Sequence, residues 1–355
     1  MMFPYLPGTR LVASFGSKHS TMNSAKARPR VWVSRPLFDD ILARLREHFD
    51  VEIEDADRDW TREQMAQKLR DKTGAILGVA DPVDASVLAH APLLRAVANR
   101  GVGYNNLDIV ALAQAGIIAT NTPGVLDETV ADFAWALMLA TARRVTEAER
   151  YLRDGKWQGM SFHIMLGGDV HGRTLGIFGM GRIGRCIARR ASGFRMPVIY
   201  HNRSRLVPEL EQECNARYVD RDTLLRNADF IVLAVPMSAE TRHLIGAPEL
   251  ALMKRDAFLI NIARGGVVDD TALIAALRDK RIAGAGLDVF EREPAVPAEM
   301  LALDNVVLTP HIASASLATR RRMASLAVEN LIAALGYGPD AGSPPNRIEA
   351  GLTIK

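Results

Sequence analysis

Between Arg173 and Gly184 the chain reads R-T-L-G-I-F-G-M-G-R-I-G. The apolar run Leu175 to Phe178 predicts a buried parallel strand, and it stops at Gly179, Gly181 and Gly184 in G-x-G-x-x-G spacing, where a helix should open. The first glycine permits a tight turn, the second lets a pyrophosphate approach the backbone, and the third lets helix pack closely on strand. Glycine turns of this kind also occur without nucleotides. Here the apolar strand before it and the amphipathic Ile187, Ala188, Ala191 side after it favour a dinucleotide site.

Outward from this motif, strands alternate with helices from Val31 onward, the sign of an α/β layer fold. At 355 residues the chain is long enough for two domains. Its 44 basic and 41 acidic residues leave a net charge of +3, so no strong field points to nucleic acid or a membrane surface as partner. No apolar run approaches the roughly 20 residues needed to span a bilayer. The two cysteines, Cys186 and Cys214, have no metal-like spacing and suit a reducing cytoplasm. The histidines at 48, 90, 171, 201 and 243 also lack ligand spacing, so no metal site is expected. Residues 1–28 contain no acid and no periodicity and read as a flexible tail; a transit peptide and a stretch upstream of a true start at Met22 share that look.

Strand ends carry the informative polar residues. Leu94 to Ala98 runs into N-R-G-V-G-Y-N-N-L-D (99–108), where backbone N–H groups of Val102 and Gly103 suit a carboxylate, with a plain tight loop as the rival reading. Asn121-Thr122-Pro123-Gly124 is a stiff junction and a domain boundary. Glu128 to about Leu152 predicts one long helix whose apolar breadth (Val130, Phe133, Ala134, Leu137, Met138, Thr141) points to a subunit interface. After the strand Val198 to Tyr200, no acid stands where a ribose 2'-hydroxyl would want one. Asn202 lies there, 18 positions past Gly184, followed by Arg203, Ser204 and Arg205. That group suits a 2'-phosphate and favours NADPH over NADH, against the alternative of a solvated basic turn. Further strands end at Val235-Pro236, at Ala263-Arg264-Gly265-Gly266, at Asp288-Val289-Phe290-Glu291-Arg292-Glu293 and at Thr309-Pro310-His311. In open α/β sheets ligands sit outside these carboxyl ends.

Hydride transfer to a 2-keto acid requires a cation or N–H donors for the carboxylate, a group to polarise the carbonyl and an acid to protonate its oxygen. His311 is the natural acid, Glu293 a carboxylate that would favour its imidazolium, and Arg264 a permanent cation for the substrate. A structural histidine and an ordinary Arg264–Asp288 ion pair are the competing readings. No G-x-S-x-G or Cys/His arrangement supplies a covalent nucleophile.

Taken together, G-V-G-Y-N-N-L-D, L-G-I-F-G-M-G-R-I-G, N-I-A-R-G-G-V-V-D, G-L-D-V-F-E-R-E-P and T-P-H-I-A-S-A-S, in this order over about residues 30–335, resemble the D-isomer-specific 2-hydroxyacid dehydrogenase family. N-A-R-Y-V-D-R-D-T-L-L and F-R-M-P-V-I-Y-H-N-R-S-R are most similar to its NADPH-dependent glyoxylate/hydroxypyruvate and 2-ketogluconate reductases. The resemblance implies two Rossmann-like doubly wound parallel-sheet domains, the substrate domain discontinuous: residues 29–121 and 312–345, with an NADP-binding domain at 122–311 between them and a C-terminal tail at 346–355. It implies Arg264, Glu293 and His311 as the catalytic set, with Val102 and Gly103 beside them for the substrate. Cofactor contacts would come from Gly179, Gly181, Arg182, Ile183 and Gly184 at the pyrophosphate and Asn202 to Arg205 at the 2'-phosphate. Asp288 would meet the nicotinamide carboxamide, and Val235, Pro236, Ala263 and Ala313 line the strand ends near the ring. A homodimer through the 128–152 helix is also implied. Ala313 departs from the usual glycine of H-I-G-S, and the 158–168 loop departs from the branch, leaving Phe162, His163 and Met165 as specificity candidates. A non-catalytic corepressor-like protein and a formate dehydrogenase are the alternatives; the latter would carry glutamine in place of Glu293.

Overall fold

The computed structural model describes residues 28–350, so the expected N-terminal tail and residues 351–355 lie outside the described residues, apart from Arg28. The chain forms two all-parallel sheets. In the first, β1 (Arg30–Val33), β2 (Asp50–Ile53), β3 (Gly74–Leu77), β4 (Ala96–Asn99) and β5 (Ile118–Thr120) lie in the order β2-β1-β3-β4-β5. In the second, β6 (Leu175–Phe178), β7 (Val198–His201), β8 (Ala216–Tyr218), β9 (Phe230–Leu233), β10 (Phe258–Asn261), β11 (Gly284–Leu287) and β12 (Val306–Leu308) lie in the order β12-β11-β10-β9-β6-β7-β8. The central strands are buried along their whole length, which is why they read as unbroken apolar runs. Strand order reverses between β6 and β9, and Phe178 lies level with both His201 and Leu233, so a crevice opens at the carboxyl ends there.

The first sheet is covered on one face by Met65, Leu69, Val87 and Leu112 packed on Trp32, Ala75 and Leu77. Its other face is closed by residues far along the chain. Helix Leu317–Ala334, capped by Ser316 on the Thr319 N–H, buries Ala324, Ala327, Val328 and Leu331 against Val31, Ile76 and Ala98. The chain therefore leaves this domain and returns to it. Residues 346–348, assigned by sequence to the tail, run antiparallel to β5: Arg347 bridges Thr120, Ile348 N–H donates to Ala119 O, and the buried Asn330 amide holds Asn346.

The expected helix from Glu128 to Leu152 is two helices, Asp127–Ala142 and Val145–Arg153. Arg144 between them is left-handed (φ 53°). The break is imposed from outside, because the Gly168 N–H takes the Ala142 carbonyl (2.9 Å) and Arg144 Nη1 donates to Leu166 O. A Cβ at Gly167 would lie 2.4 Å from that same Ala142 oxygen, so only glycine lets the loop approach. Val130, Ala134, Leu137 and Met138 are buried in this chain's own core, and Leu137 and Thr141 seat on Gly286 of β11. Those four positions serve the core of the nucleotide domain. The edge strand β8 was not anticipated, being three residues long with no fully buried side chain.

Candidate active site

At the end of β6 each glycine answers a different constraint. Gly179 has φ +94°, and a Cβ there would meet the Ala234 carbonyl at 2.7 Å; at Gly184 it would lie 2.2 Å from Gly179 O. Gly181 faces open space at the head of helix Arg182–Arg190, so first-turn N–H groups are approachable by an anion. Met180 N–H donates to Asn202 Oδ1 (2.7 Å), tying the turn to the end of β7. An open helix start between two close-packed glycines fits the pyrophosphate of a dinucleotide.

The basic turn after β7 is only partly free. Arg203 and Ser204 are exposed. Arg205, expected at a 2'-phosphate, instead grips Glu211 through Nε (2.9 Å) and Nη2 (2.8 Å), while Tyr200 donates to the same carboxylate at 2.6 Å. The Arg205 and Tyr200 hydrogen bonds hold the Glu211 carboxyl down to about 2, and burial together with that carboxylate pushes the Tyr200 phenol up to about 12. This bidentate ion pair occupies Nε and Nη2, so a phosphate would meet the exposed Arg205 through Nη1. Arg182 lies 3.6 Å from Asp127 across the glycine turn.

At the other end of the crevice the expected catalytic residues converge. His311 follows β12 in a left-handed conformation (φ 53°), with its N–H on Asp288 O and its Nδ1 donating to Glu293 Oε2 at 2.8 Å. Its Nε2 has no partner among the described residues. Burial opposes ionisation of Glu293, but the His311 hydrogen bond and charge, the Phe290 N–H (3.0 Å) and the Arg264 charge together hold its carboxyl below the ordinary value. Asp288, which the resemblance puts on a carboxamide, is 0% exposed. Its Oδ1 accepts from Thr309 Oγ1 (2.7 Å) and Ile312 N–H (2.8 Å), and its Oδ2 from Ala313 N–H (2.8 Å). The arrangement it displays is a clamp that sustains the unfavourable His311 backbone.

Arg264 is not paired with Asp288. Its Nη1 donates to Ala263 O (2.8 Å) and its Nε crosses to Asn105 Oδ1 (2.9 Å) in the loop after β4. A Cβ on Gly103 would lie 1.9 Å from Arg264 Nη2, so that guanidinium rests on the loop backbone. Asn99 holds Gly103 O (2.8 Å) and Asn121 holds Val102 O (2.8 Å), leaving the N–H groups of Val102 and Gly103 without an acceptor among the described residues. Burial pulls the Arg264 guanidinium below its ordinary value while the Glu293 charge opposes this. A permanent cation, two backbone donors and an imidazole backed by a carboxylate thus meet between the two sheets.

Residues 135–313 match the family model described as D-isomer specific 2-hydroxyacid dehydrogenase, NAD binding domain. The chain is 48% identical over 310 residues, 86% of its length and 92% of the relative, to a glyoxylate reductase of Thermococcus gammatolerans. It belongs to the D-isomer specific 2-hydroxyacid dehydrogenase family. To a glyoxylate reductase of Pyrococcus horikoshii it is 47% identical over 86% of this chain and 92% of that one. It also superposes with a TM-score of 0.79 on an NADPH-dependent glyoxylate/hydroxypyruvate reductase of Sinorhizobium meliloti in complex with NADP and malonate, at 36% identity over 91% of this chain and 100% of that one.

As a member of this dehydrogenase family the chain is a nicotinamide-dependent oxidoreductase, and its two-domain parallel-sheet architecture is the family's. Val235, Pro236, Ala263 and Ala313 stand at the expected strand ends, with Ala263 and Ala313 buried. The candidates Phe162 and His163 are not brought to the cleft of their own chain: Phe162 is 90% exposed and His163 is exposed, while Met165, φ 50°, is half-buried. Sequence reading overlooked Asn105 and Arg320. Arg320, half-buried on the first turn after Ser316, has its guanidinium pushed down by burial while the charges of Asp288 and Asp57 oppose this. The signal for it was its place one helical turn beyond a cap that follows His311.

Proposed function

We propose that the protein reduces a small 2-keto acid, glyoxylate, hydroxypyruvate or 2-ketogluconate, to the D-2-hydroxy acid, with NADPH preferred. The observation that carries this reading is the convergence of Arg264, the Gly103 backbone and the Glu293–His311 pair at the opening between the sheets. The substrate carboxylate is held by the N–H groups of Val102 and Gly103 and by Arg264. Arg264 also polarises the carbonyl, as a donor aimed at an oxygen that gains charge in the transition state. His311 gives its Nε2 proton to that oxygen, and Glu293 stabilises the imidazolium until the proton is transferred. Bound NADPH supplies the hydride to C2. Gly179, Gly181, Arg182, Ile183 and Gly184 would hold its pyrophosphate, and Asn202, Arg203 and Ser204 would receive its 2'-phosphate, with Arg205, paired to Glu211, in a lesser part.

The working division is a substrate domain of residues 29–121 and 312–345 around a nucleotide domain of 122–311. A homodimer remains part of the reading, its contact moved from the buried face of helix Asp127–Ala142 to the segment after it. Val145, Leu152, Trp157, Met160 and Phe162 are exposed there, Met160 by 95%. The two free, buried thiols suit a reducing cytoplasm.

The test is cofactor oxidation with glyoxylate, hydroxypyruvate and 2-ketogluconate, each with NADPH and NADH, and cofactor reduction by formate with the oxidised cofactors. Turnover of a keto acid with NADPH is expected. Cofactor binding without turnover of any keto acid would favour the corepressor-like reading, and formate oxidation the formate dehydrogenase. Sedimentation as a stable monomer would remove the dimer.

A further inference from the structure

A second group of charged side chains, which the mechanism above does not use, lies beside the loop that carries Glu293. Glu291 Oε1 accepts from Arg242 Nη2 (3.0 Å) and from His243 Nε2 (3.0 Å). The Glu291 N–H donates to Oδ2 of the buried Asp270 (3.2 Å), at the head of helix Asp270–Arg278. One residue earlier, the Phe290 N–H donates to Glu293 Oε1. The next peptide, between Phe290 and Glu291, meets the loop carrying Arg264: a Cβ at Gly265 would lie 1.8 Å from the Phe290 carbonyl carbon and oxygen, a contact only glycine permits. His243 touches both loops, its ring on Glu291 and its N–H on Gly266 O (2.8 Å).

We propose that Glu291 is a positioning residue: gripped by Arg242 and His243, it fixes the Phe290–Glu291 peptide, which backs the Arg264 loop through the Phe290 carbonyl and, through the Phe290 Cα, steadies the preceding peptide whose N–H holds the Glu293 carboxylate on His311. This rests on the reading of His311 as the proton donor. The argument is one of geometry. Glu293 has one oxygen on His311 and the other on Phe290 N–H, and that N–H is one Cα away from the Phe290–Glu291 peptide, so a rotation of that peptide is passed through the Phe290 Cα to the acid. Asp270 alone, with a single bond at 3.2 Å to the Glu291 N–H, leaves the peptide free to tilt about it. Misplacement of a catalytic group by about 1 Å costs on the order of a hundredfold, and partial loosening correspondingly less.

The test compares Glu291→Ala, Glu291→Gln, the double variant Arg242→Ala with His243→Ala, and His311→Gln, in the full-length protein with glyoxylate and NADPH. It reads kcat, KM, the alkaline limb of the kcat profile, and cofactor Kd by fluorescence titration. Glu291→Ala is expected to lower kcat roughly tenfold with Kd within about twofold of wild type. Its alkaline limb should move to lower pH, because a poorly held Glu293 stabilises the imidazolium less. Glu291→Gln, which keeps an acceptor oxygen, should recover most of the loss. If Glu291→Ala fails to fold by circular dichroism, the double variant removes the same grip from outside the loop and should reproduce both effects. Folded variants with wild-type kcat and an unmoved limb would overturn the proposal. Full turnover by His311→Gln would instead overturn the donor assignment, whatever the Glu291 variants do.

Discussion

The backbone of Gly103 lies against the guanidinium of Arg264, so closely that a Cβ at residue 103 would come within 1.9 Å of Nη2. The contact joins a loop of the first sheet to a loop of the second. Because the obstructing atom is the tip of a flexible side chain, Gly103→Ala should displace Arg264 rather than strain the fold. We expect kcat/KM for the keto acid to fall roughly ten- to a hundredfold, with stability changed by less than about 1 kcal/mol. Steady-state kinetics and a urea titration check both halves, and unchanged kinetics would mean that Arg264 does not need this seat.

His311→Gln keeps a donor of similar size but removes the transferable proton. Turnover should drop by about 10²–10⁴, the usual contribution of general acid catalysis, while NADPH affinity stays within about twofold. Glu293, its carboxyl lowered by His311 despite burial, is ionised throughout the neutral range. On the acid side reduction should therefore fail only below the ordinary carboxylate range, as Glu293 takes up its proton. A profile that instead falls between mildly acidic and neutral pH would contradict this pairing.

The two arginines after β7 should behave differently. Both are exposed, but Arg205 is ion-paired to Glu211 through two of its nitrogens. Arg203→Ala should raise the KM for NADPH roughly tenfold, as expected for loss of a charged contact to phosphate, and leave NADH unaffected. Arg205→Ala should change that KM by less than about threefold. Asn202→Asp, which retains the acceptor for Met180 N–H and adds a negative charge, should shift preference toward NADH. Equal effects of the two alanine variants would refute this division.

A stability prediction concerns Asp84, which caps helix Ala85–Leu88. Hydrogen bonds from Arg62 and Ser86 hold its carboxyl down to about 2, from an ordinary 3.8. A group lowered by folding stabilises the native state above its unfolded value and loses that effect as pH falls through the folded one. Asp84→Asn should therefore lower the urea midpoint at neutral pH and change it little near the acid end of that window. The same loss at both pH values would mean that the cap, not the charge, matters.

Much of the architecture was legible because it is written in local period and residue type. Leu175–Phe178 and Val306–Leu308 fall where the apolar runs placed them. The division of the long helix was not legible, since Arg143 and Arg144 carry no glycine or proline signal. The stop comes from Gly168, more than twenty residues on, claiming the Ala142 carbonyl. The hydrogen bonds of Asp288 to Thr309, Ile312 and Ala313 were not legible either, since they join two strand ends distant in the chain.

From the sequence alone follow two parallel-sheet units, a dinucleotide turn at Gly179, Gly181 and Gly184, and the set Arg264, Glu293 and His311. Each of these depends on residues close together in the chain or on placement at a strand end. Only the tertiary structure decided which partner each charged group takes: Arg205 takes Glu211, Arg264 takes Asn105 rather than Asp288, and Glu291 takes His243. Such pairings are settled by neighbours in space, 159 residues apart for Arg264 and Asn105, and a hydrogen bond leaves no trace in the local pattern of either partner.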